Sequence, residues 1–434
     1  MRNIQLNDVD KSYKKDSFHS KDPEETYNLA HKNLRFLGNG AFYGLQEIGH
    51  FDTMGLPVFK VLCANGLNEW GKGLTAEQCK ASAIMERVER ISSISSIRND
   101  ASIVTSAFNS LKEEAVSRKK FGLMNLHYVI YGEDSIDDRE MDWVTAESLI
   151  SKKSFLVPAQ WVFLRHRNRF ADYLCSTGLA SGNSIEEAVM QAICEVIERH
   201  VLHKMYFNRP KVRQINLGTI EHPTLKSLIH NLKGKGFEVI ANDFSDGWKI
   251  ASVSALAFNP KESIIFGENV KVGTSTDPEV ALIRAITEVA QGRAVSLYRN
   301  RYGTSSKGFF GAASKDSLEK YKWLTEDSNM ISIKDVQNIS KDNFREEIEE
   351  SVNDIRQKGY DVLAYDLTHP KLGIPVVRVM IPGLQPNFYA KGLHYMDKKS
   401  IVTPHLKIFE EVMEKVKKRE FLDQKLDEVQ ELNG

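Results

Sequence analysis

Three segments of the chain carry polar residues at the same helical positions. The segments are GKGLTAEQCKASAIMERVER at 71–90, SGNSIEEAVMQAICEVIERH at 181–200 and TSTDPEVALIRAITEVAQGR at 274–293. Positions i, i+4 and i+7 of a helix lie in one narrow stripe, so each segment presents three polar side chains in one direction. The stripes consist of Ser82, Glu86 and Glu89, then Gln191, Glu195 and Glu198, then Arg284, Glu288 and Gln291.

The paired carboxylates on the first two stripes indicate a bound cation. Apolar residues cover most of the remaining surface of the second segment, which predicts a buried helix. Buried carboxylates that share a stripe repel each other and lose hydration, so a positive group has to keep them ionised. Since neither His nor Cys shares the stripe, Mg²⁺ is favoured over Zn²⁺. Arg199, Arg284 and Arg293 suit phosphate oxygens, so we expect a metal-nucleotide site; solvated helix faces are the alternative.

Each of the three segments also contains a helix-start signal. Thr75 with Gln78, and Ser184 with Glu187, have the spacing of a capping box. In the third segment Asp277 precedes a proline, which is favoured at the first helical position. We therefore expect three helices that begin in the same way and bring their polar stripes to a common site.

The elements between these segments favour an α+β fold. A short helix is expected from about Asp22, and strands are expected in GLPVFKVLCA at 55–64 and in the runs 126–132, 155–164, 250–258 and 374–381. Strands and helices do not alternate regularly, which argues against a doubly wound parallel sheet. Residues 303–317 read as a loop, and the charged C-terminal segment reads as a surface helix.

Composition excludes several classes of protein. The 434 residues include 58 Lys+Arg and 58 Asp+Glu, so no net charge attracts the chain to nucleic acid or to an anionic membrane. Four widely spaced cysteines form no C-x-x-C pair, so the sequence suggests neither a zinc ribbon nor a disulfide framework and favours reduced thiols. No apolar run is long enough to span a bilayer. We expect a cytoplasmic protein that binds neither nucleic acid nor membrane.

The three segments, in this order and spacing, resemble the nucleotide-binding segments of the YcaO superfamily. IPVVRVMIPGL at 374–384 resembles a later core strand of that family, and KDPEET with MGLPVF resembles its archaeal members. The resemblance covers about positions 20 to 390. It implies a YcaO fold with mixed or antiparallel sheets, an N-terminal segment at 1–65, an ATP-binding catalytic domain at 66–390 and a charged helical segment at 391–434.

The resemblance also implies the roles of individual residues. Glu86, Glu89, Glu195 and Glu198 would ligate Mg²⁺. The residues that would contact ATP are Asn183, Glu187, Gln191, Arg199 and Arg284. The resemblance assigns secondary contacts with ATP to Ser82, Glu288, Gln291 and Arg293. Lys21 and Thr26 match an N-terminal phosphate-binding segment more loosely. Since phosphoryl transfer depends on positioning and charge neutralisation, Arg199 and Arg284 would act as phosphate stabilisers, and no protein nucleophile is required.

The family activates a backbone amide of a peptide with ATP, and the attacking nucleophile determines the product. A neighbouring Cys, Ser or Thr gives an azoline, whereas sulfide gives a thioamide. No proline follows Pro404, unlike the proline-rich tails of azoline-forming members, so thioamide formation is expected. The archaeal resemblance implies the α subunit of methyl-coenzyme M reductase as substrate, a TfuA-like partner that delivers sulfur, and a homodimer. The alternatives are an azoline-forming cyclodehydratase and a non-catalytic nucleotide-binding accessory factor.

Overall fold

The computed structural model describes residues 4–384, with gaps at 39, 65–68, 95–101, 112–113, 117–136, 165, 167–175, 263–264, 267–268, 303–311, 314–320 and 326–328. Side chains at 206–208, 265–266 and 312–313 are not described either. The strand expected at 126–132, the helix expected at the C-terminus and most of the loop at 303–317 therefore lie outside the described residues.

Helices and strands are interspersed along the chain, as expected for an α+β fold. The helices are α1 (Pro23–Arg35), α2 (Ala76–Ser92), α3 (Ala159–Val162), α4 (Ile185–Asn208), α5 (Pro223–Gly234), α6 (Pro278–Arg301) and α7 (Phe344–Gln357). The strands are β1 (Gly44–Glu47), β2 (Val58–Leu62), β3 (Trp70–Lys72), β4 (Val104–Ala107), β5 (Glu140–Ser148), β6 (Ser154–Pro158), β7 (Leu179–Ser181), β8 (Arg213–Asn216), β9 (Glu238–Asp243), β10 (Ala251–Phe258), β11 (Ile265–Phe266), β12 (Val270–Ser275), β13 (Ala312–Ala313), β14 (Asn329–Ser332), β15 (Leu363–Asp366) and β16 (Val376–Met380). The strands expected near 58, 250 and 374 are confirmed. Among the described helices, none is long and apolar enough to cross a bilayer.

The run at 155–164 does not form one strand as expected. Strand β6 ends at Pro158, and residues 159–162 form the single helical turn α3, which the backbone N–H of Phe163 closes by donating to Ala159 O at 2.9 Å. Proline lacks the N–H that a strand ladder needs, so pairing with β5 ends there. A short apolar run does not distinguish a strand from a buried turn, and this is why the sequence pattern failed here.

Most strands pair into three sheets. One sheet has the order β4-β5-β15-β16-β7 with β6 also paired to β5, a second has the order β12-β10-β9-β8-β14, and a third has the order β1-β2-β3. The described pairings between these strands are antiparallel, except that β8 and β14 are parallel. These mixed and antiparallel sheets confirm the expected fold class.

Each of the three polar segments is a strand–helix unit whose strand lies at one edge of one of these sheets. Strands β3, β7 and β12 are terminal in their sheet orders as described, and they lead directly into α2, α4 and α6. Thr75, Ser184 and Asp277 cap the helices as expected, each accepting a backbone hydrogen bond from the first turn. The fold therefore brings three equivalent helix starts together from three separate sheets.

Close contact between strand and helix fixes the first and third units. A Cβ atom on Gly71 would lie 1.9 Å from the carbonyl oxygen of Cys79, and one on Gly273 would lie 2.2 Å from that of Ala281. No side chain fits at either position, so each strand lies directly against the helix that follows it. Helix α4 lies in the largest core cluster, with Val189, Ile193 and Ile197 almost fully buried.

Candidate functional site

A cavity of about 370 Å³ lies where α2, α4 and α6 meet the N-terminal segment. Most residues that the sequence predicted for a nucleotide or metal line this cavity. They are Thr26, Ser82, Glu86, Glu89, Asn183, Glu187, Gln191, Glu195, Glu198, Arg199, Arg284, Glu288 and Gln291. The three polar stripes therefore converge as expected, since the capped helices present them to one space.

Residues of two strands, β3 and β7, hold the carboxylates of α2. The N–H of Trp70 in β3 donates to Glu86 Oε2 at 2.9 Å. The N–H and the hydroxyl of Ser181 in β7 donate to Glu89 Oε1 at 2.9 and 3.0 Å. Because strand residues fix both carboxylates, the side chains project into the cavity with defined orientations.

The carboxylates of α4 are held in a similar way. The backbone N–H of Gly178, just before β7, donates to Glu195 Oε2 at 3.1 Å. The Arg199 guanidinium lies 3.5 Å from Glu195 Oε1 and 3.9 Å from Glu198 Oε1. One arginine thus lies beside two carboxylates, and both distances are longer than those of a close bidentate pair. Arg199 therefore compensates only part of the charge that the two carboxylates would carry, and a positively charged ligand can compensate the rest.

Burial raises the pKa values of two of these groups. It raises the pKa of Glu89 to about 8, with a further contribution from the charge on Glu86. Burial also raises the pKa of Glu195, against the opposing effect of Arg199. A carboxyl group that resists ionisation in the protein alone gains most from a bound cation, which takes the place of its proton.

The donor set fits Mg²⁺ in the way that this ion usually binds with nucleotides. Among the described residues, no three or more His, Cys, Asp or Glu groups are spaced to hold one metal ion by themselves. Mg²⁺ commonly takes one or two protein carboxylates and completes its shell with waters and phosphate oxygens. Glu86, Glu89, Glu195 and Glu198, which stand on facing helices, would supply such partial sets to ions carried on a triphosphate.

Positive groups lie between these carboxylates. Arg90 Nη2 donates to Glu86 Oε1 at 2.9 Å, and Arg284 Nη1 donates to the backbone oxygen of Thr274 at 2.9 Å. Lys72 forms an ion pair with Glu288, and burial lowers the pKa of Lys72 to about 8. Arginines and a lysine beside carboxylates are the groups that bind a metal-complexed phosphate chain.

The N-terminal segment closes one side of the cavity. Thr26 Oγ1 donates to Asn183 Oδ1 at 3.0 Å, and both residues line the cavity. Nδ1 of His19 lies 2.8 Å from Glu187 Oε1, and the N–H and hydroxyl of Ser20 donate to Glu187 Oε2 at 3.0 and 2.8 Å. Burial opposes ionisation of Glu187, but these donors prevail and lower its pKa.

Two predicted residues do not line the cavity. Lys21 is partly exposed and pairs with Glu25 at 3.2 Å on the outer side of α1. The assignment of Arg293 to the nucleotide is corrected, because its guanidinium is buried against Asp52 at 2.8 Å and Glu262 at 2.9 Å. These carboxylates satisfy Arg293 inside the protein, which makes it a structural residue.

Sequence reasoning missed four residues that line the cavity or hold its carboxylates. Lys72 lies between two glycines in GKG, and that pattern was the available signal for a fixed strand residue. His19 and Ser20 precede the quoted KDPEET segment by one or two positions and gave no signal of their own. Arg90 was part of the first segment but lies outside its stripe, and it reaches the cavity through Glu86.

A family model described as YcaO cyclodehydratase, ATP- and Mg²⁺-binding, matches residues 70–385. An uncharacterised protein of Methanothermobacter thermautotrophicus is 30% identical over 376 residues, which cover 84% of this chain and 94% of that protein. An uncharacterised protein in the tfuA 3′ region of Rhizobium leguminosarum bv. trifolii is 25% identical, covering 84% of this chain and 87% of the relative.

A solved structure gives the same result for the fold. The structure of YcaO from Methanopyrus kandleri, bound with AMPPCP and Mg²⁺, superimposes with a TM-score of 0.66 at 25% identity. The superposition covers 87% of this chain and 94% of that chain. The similarity extends over most of the length of both proteins.

Proposed function

Because the chain belongs to the YcaO family of ATP- and Mg²⁺-binding cyclodehydratases, we propose that it activates a backbone amide of a peptide or protein. ATP supplies the phosphoryl group that turns the amide oxygen into a leaving group. Sulfide then adds at the amide carbon and phosphate departs, which leaves a thioamide. The protein contributes binding, orientation and charge neutralisation, as in other phosphoryl transfers.

The observation that carries this proposal is the arrangement of buried carboxylates on α2 and α4. Burial raises the pKa values of Glu89 and Glu195, and backbone N–H groups hold both side chains toward one cavity. Such carboxylates favour divalent cations. Arg199 and Arg284 line the same cavity, where they would stabilise phosphate oxygens.

The choice of sulfide as nucleophile is supported by relatives. One relative is encoded in a tfuA 3′ region, and others come from Methanothermobacter and Methanopyrus. We therefore propose a TfuA-like protein as the sulfur-delivering partner and a glycine of the methyl-coenzyme M reductase α subunit as the target. The homodimer and the domain boundaries at 65 and 390 stay predictions.

The test combines nucleotide and peptide measurements. Purified protein is incubated with Mg-ATP and a glycine-containing peptide of the reductase α subunit, with and without sulfide and a TfuA-like protein. We expect ADP formation that depends on peptide, and a peptide mass increase equal to the exchange of one oxygen for one sulfur. ADP without this mass change in the presence of sulfide and partner would contradict thioamide formation.

Azoline formation is the second candidate, because the matching family model is described as a cyclodehydratase. The same assay distinguishes it when peptides containing Cys, Ser or Thr replace the glycine peptide. Loss of one water from such a peptide without added sulfide would establish the cyclodehydratase. ATP binding without ADP formation on any peptide would instead support an accessory factor.

A further inference from the structure

The three strand–helix units carry different residues at one equivalent position. Three residues before the caps of α2, α4 and α6 stand Lys72, Ser181 and Thr274. The hydroxyl of Ser181 donates to Glu89 within the protein, and the backbone oxygen of Thr274 accepts a hydrogen bond from Arg284. Lys72 is the charged residue of the three, so the first unit adds an ammonium group where the others add hydroxyls.

The backbone of Lys72 is fixed on both sides. A Cβ atom on Gly71 would lie 1.9 Å from the carbonyl oxygen of Cys79, and one on Gly73 would lie 2.6 Å from Gln78 Cβ. Both flanking positions therefore require glycine, and α2 blocks one side of the strand. The N–H of Lys72 donates to Ser82 Oγ at 3.4 Å, which further holds the strand in place.

The side chain of Lys72 reaches the charged end of the cavity. Its ammonium pairs with Glu288 of α6, and its electrostatic neighbours include Glu198 and Arg199 of α4 and Arg284 of α6. Among the described residues that line the cavity, Lys72 is the only lysine. It thus approaches the proposed metal ligands of α4 from a different wall.

The partners of the neighbouring arginines distinguish them from Lys72. Arg199 is shared between Glu195 and Glu198, and Arg284 donates to the Thr274 backbone. In the described part of the chain Lys72 forms an ion pair with Glu288 and lies near Glu198. The ammonium group of Lys72 stands on a flexible four-carbon side chain, so it can change partners without moving the backbone. Arg284 lies one helical turn before Glu288 and can neutralise that carboxylate when Lys72 leaves it.

We propose that Lys72 is a catalytic residue that exchanges Glu288 for the terminal phosphate of ATP. The inference rests on the proposed function and names one further ligand of the transferred group. During transfer the amide oxygen forms a bond to phosphorus, the bond between phosphorus and ADP breaks, and ADP keeps the electron pair. Lys72 transfers no proton; its positive charge stabilises the oxygens of the phosphoryl group in the transition state.

Nucleotide binding tests the contact without any peptide. For Lys72→Met we expect the Kd of Mg-AMPPCP to rise about tenfold, the loss of one charge-assisted contact. The Kd of Mg-ADP, which lacks the terminal phosphate, should change less than about twofold on the same scale. Equal weakening of both nucleotides, or of neither, would overturn the proposal.

Lys60→Met is the matched control. Lys60 lies on the neighbouring strand β2 over the rings of Trp70 and Tyr298 and does not line the cavity. This variant should bind both nucleotides like the unmodified protein. Thermal melting checks that each variant is folded, and Lys72→Gln replaces Lys72→Met in the same titrations if the latter melts below the assay temperature.

A double variant separates catalysis from simple neutralisation of Glu288. If Lys72 only neutralised this carboxylate, Glu288→Gln would restore nucleotide binding and turnover to Lys72→Met. We expect no restoration, and a loss in kcat of more than about 100-fold for Lys72→Met with peptide. Restoration would overturn the proposal.

Failure of the proposed function gives a different result. Unmodified protein that forms no peptide-dependent ADP, while Lys72→Met still distinguishes Mg-AMPPCP from Mg-ADP, would refute the function but keep the phosphate contact. Active unmodified protein with an equally active Lys72→Met variant would refute the role of Lys72 alone.

Discussion

Helix α6 passes through two regions that hold buried charge in opposite ways. Near its middle, Arg293 is 1% exposed and donates through Nε and Nη2 to both oxygens of Asp52, with Glu262 and the ring of Phe237 beside it. Five residues earlier, or about one and a half turns, Glu288 faces the cavity that the carboxylates of α2 and α4 also line. The first region is closed within the protein, whereas the second is open to a ligand.

The difference between the regions lies in how their charges are compensated. Asp52 and Glu262 match Arg293, and their hydrogen bonds raise its pKa despite burial. In the cavity, burial prevails and raises the pKa values of Glu89 and Glu195. We infer that a buried charge with oppositely charged partners inside the protein has a structural role. Buried acidic groups without enough positive partners inside the protein are available to bind a ligand.

The largest expected effect concerns the open region. Glu198→Gln keeps the size of the side chain but removes a proposed metal ligand, so ATP turnover should fall more than about 1,000-fold. Because the change removes a negative charge from a crowded site, the melting temperature of the ligand-free protein should not fall. Steady-state ADP formation and thermal melting check both statements.

Exposed Glu349, which pairs with Arg345 on α7, provides the control as Glu349→Gln and should leave turnover unchanged. Normal turnover in Glu198→Gln would remove Glu198 from the site. A large drop in its melting temperature would show that this carboxylate is structural, which would erase the distinction between the two regions.

The second effect concerns the closed region. Arg293→Met leaves Asp52 buried without its partner, so the free energy of unfolding should fall by about 3–5 kcal/mol. The Kd of Mg-AMPPCP for the folded fraction should stay unchanged, because Arg293 does not line the cavity. Urea unfolding and nucleotide titration measure the two quantities. A higher Kd of Mg-AMPPCP with an unchanged free energy of unfolding would mean that Arg293 contacts the nucleotide after all.

A third, smaller effect is the pH dependence of the ligand-free protein. The pKa of Glu89 is raised to about 8 in the folded state, so the folded protein holds a proton that the unfolded chain releases near its ordinary value of 4.5. The stability contributed by this proton is therefore present at low pH and is lost as the pH rises toward 8.

Melting temperatures between pH 5 and pH 8, compared for the unmodified protein and Glu89→Gln, check this dependence. The decline should be smaller in Glu89→Gln, while the Arg293 region should contribute no slope since arginine does not titrate there. Parallel curves would mean that Glu89 is ionised in the ligand-free protein.

The smallest effect concerns a single hydroxyl. Ser181→Ala removes the hydroxyl that donates to Glu89 and keeps the backbone N–H of residue 181, which donates to the same carboxylate. We expect the Kd of Mg-AMPPCP to rise only about fivefold, which corresponds to the loss of about 1 kcal/mol for one hydrogen bond. A loss as large as that of Glu198→Gln would mean that the hydroxyl, rather than the strand backbone, positions the carboxylate.

Local signals made much of the fold predictable. The caps at Thr75, Ser184 and Asp277 and the strands at 250–258 and 374–381 depend on neighbouring residues, and all are confirmed. The convergence of the stripes also followed, because three matched helices with polar stripes need a common polar space. The resemblance to the YcaO family is confirmed by the family model.

The errors at the site come from long-range partners. Arg293 belongs to one of the three polar segments, but its partner Asp52 is 241 positions away. No local sequence pattern predicts an ion pair between residues so far apart. His19 reaches Glu187 across 168 positions. Lys72 was missed because helical periodicity was the signal followed, and this residue lies on the strand before the helix.

The most direct test of the central claim follows one oxygen atom. A glycine peptide whose backbone carbonyl carries oxygen-18 is incubated with the protein, Mg-ATP and sulfide, and the released phosphate is analysed by mass. If the cavity serves phosphorylation of the amide oxygen, the phosphate will contain the labelled oxygen and Glu198→Gln will release none. Unlabelled phosphate formed together with a modified peptide would contradict the account.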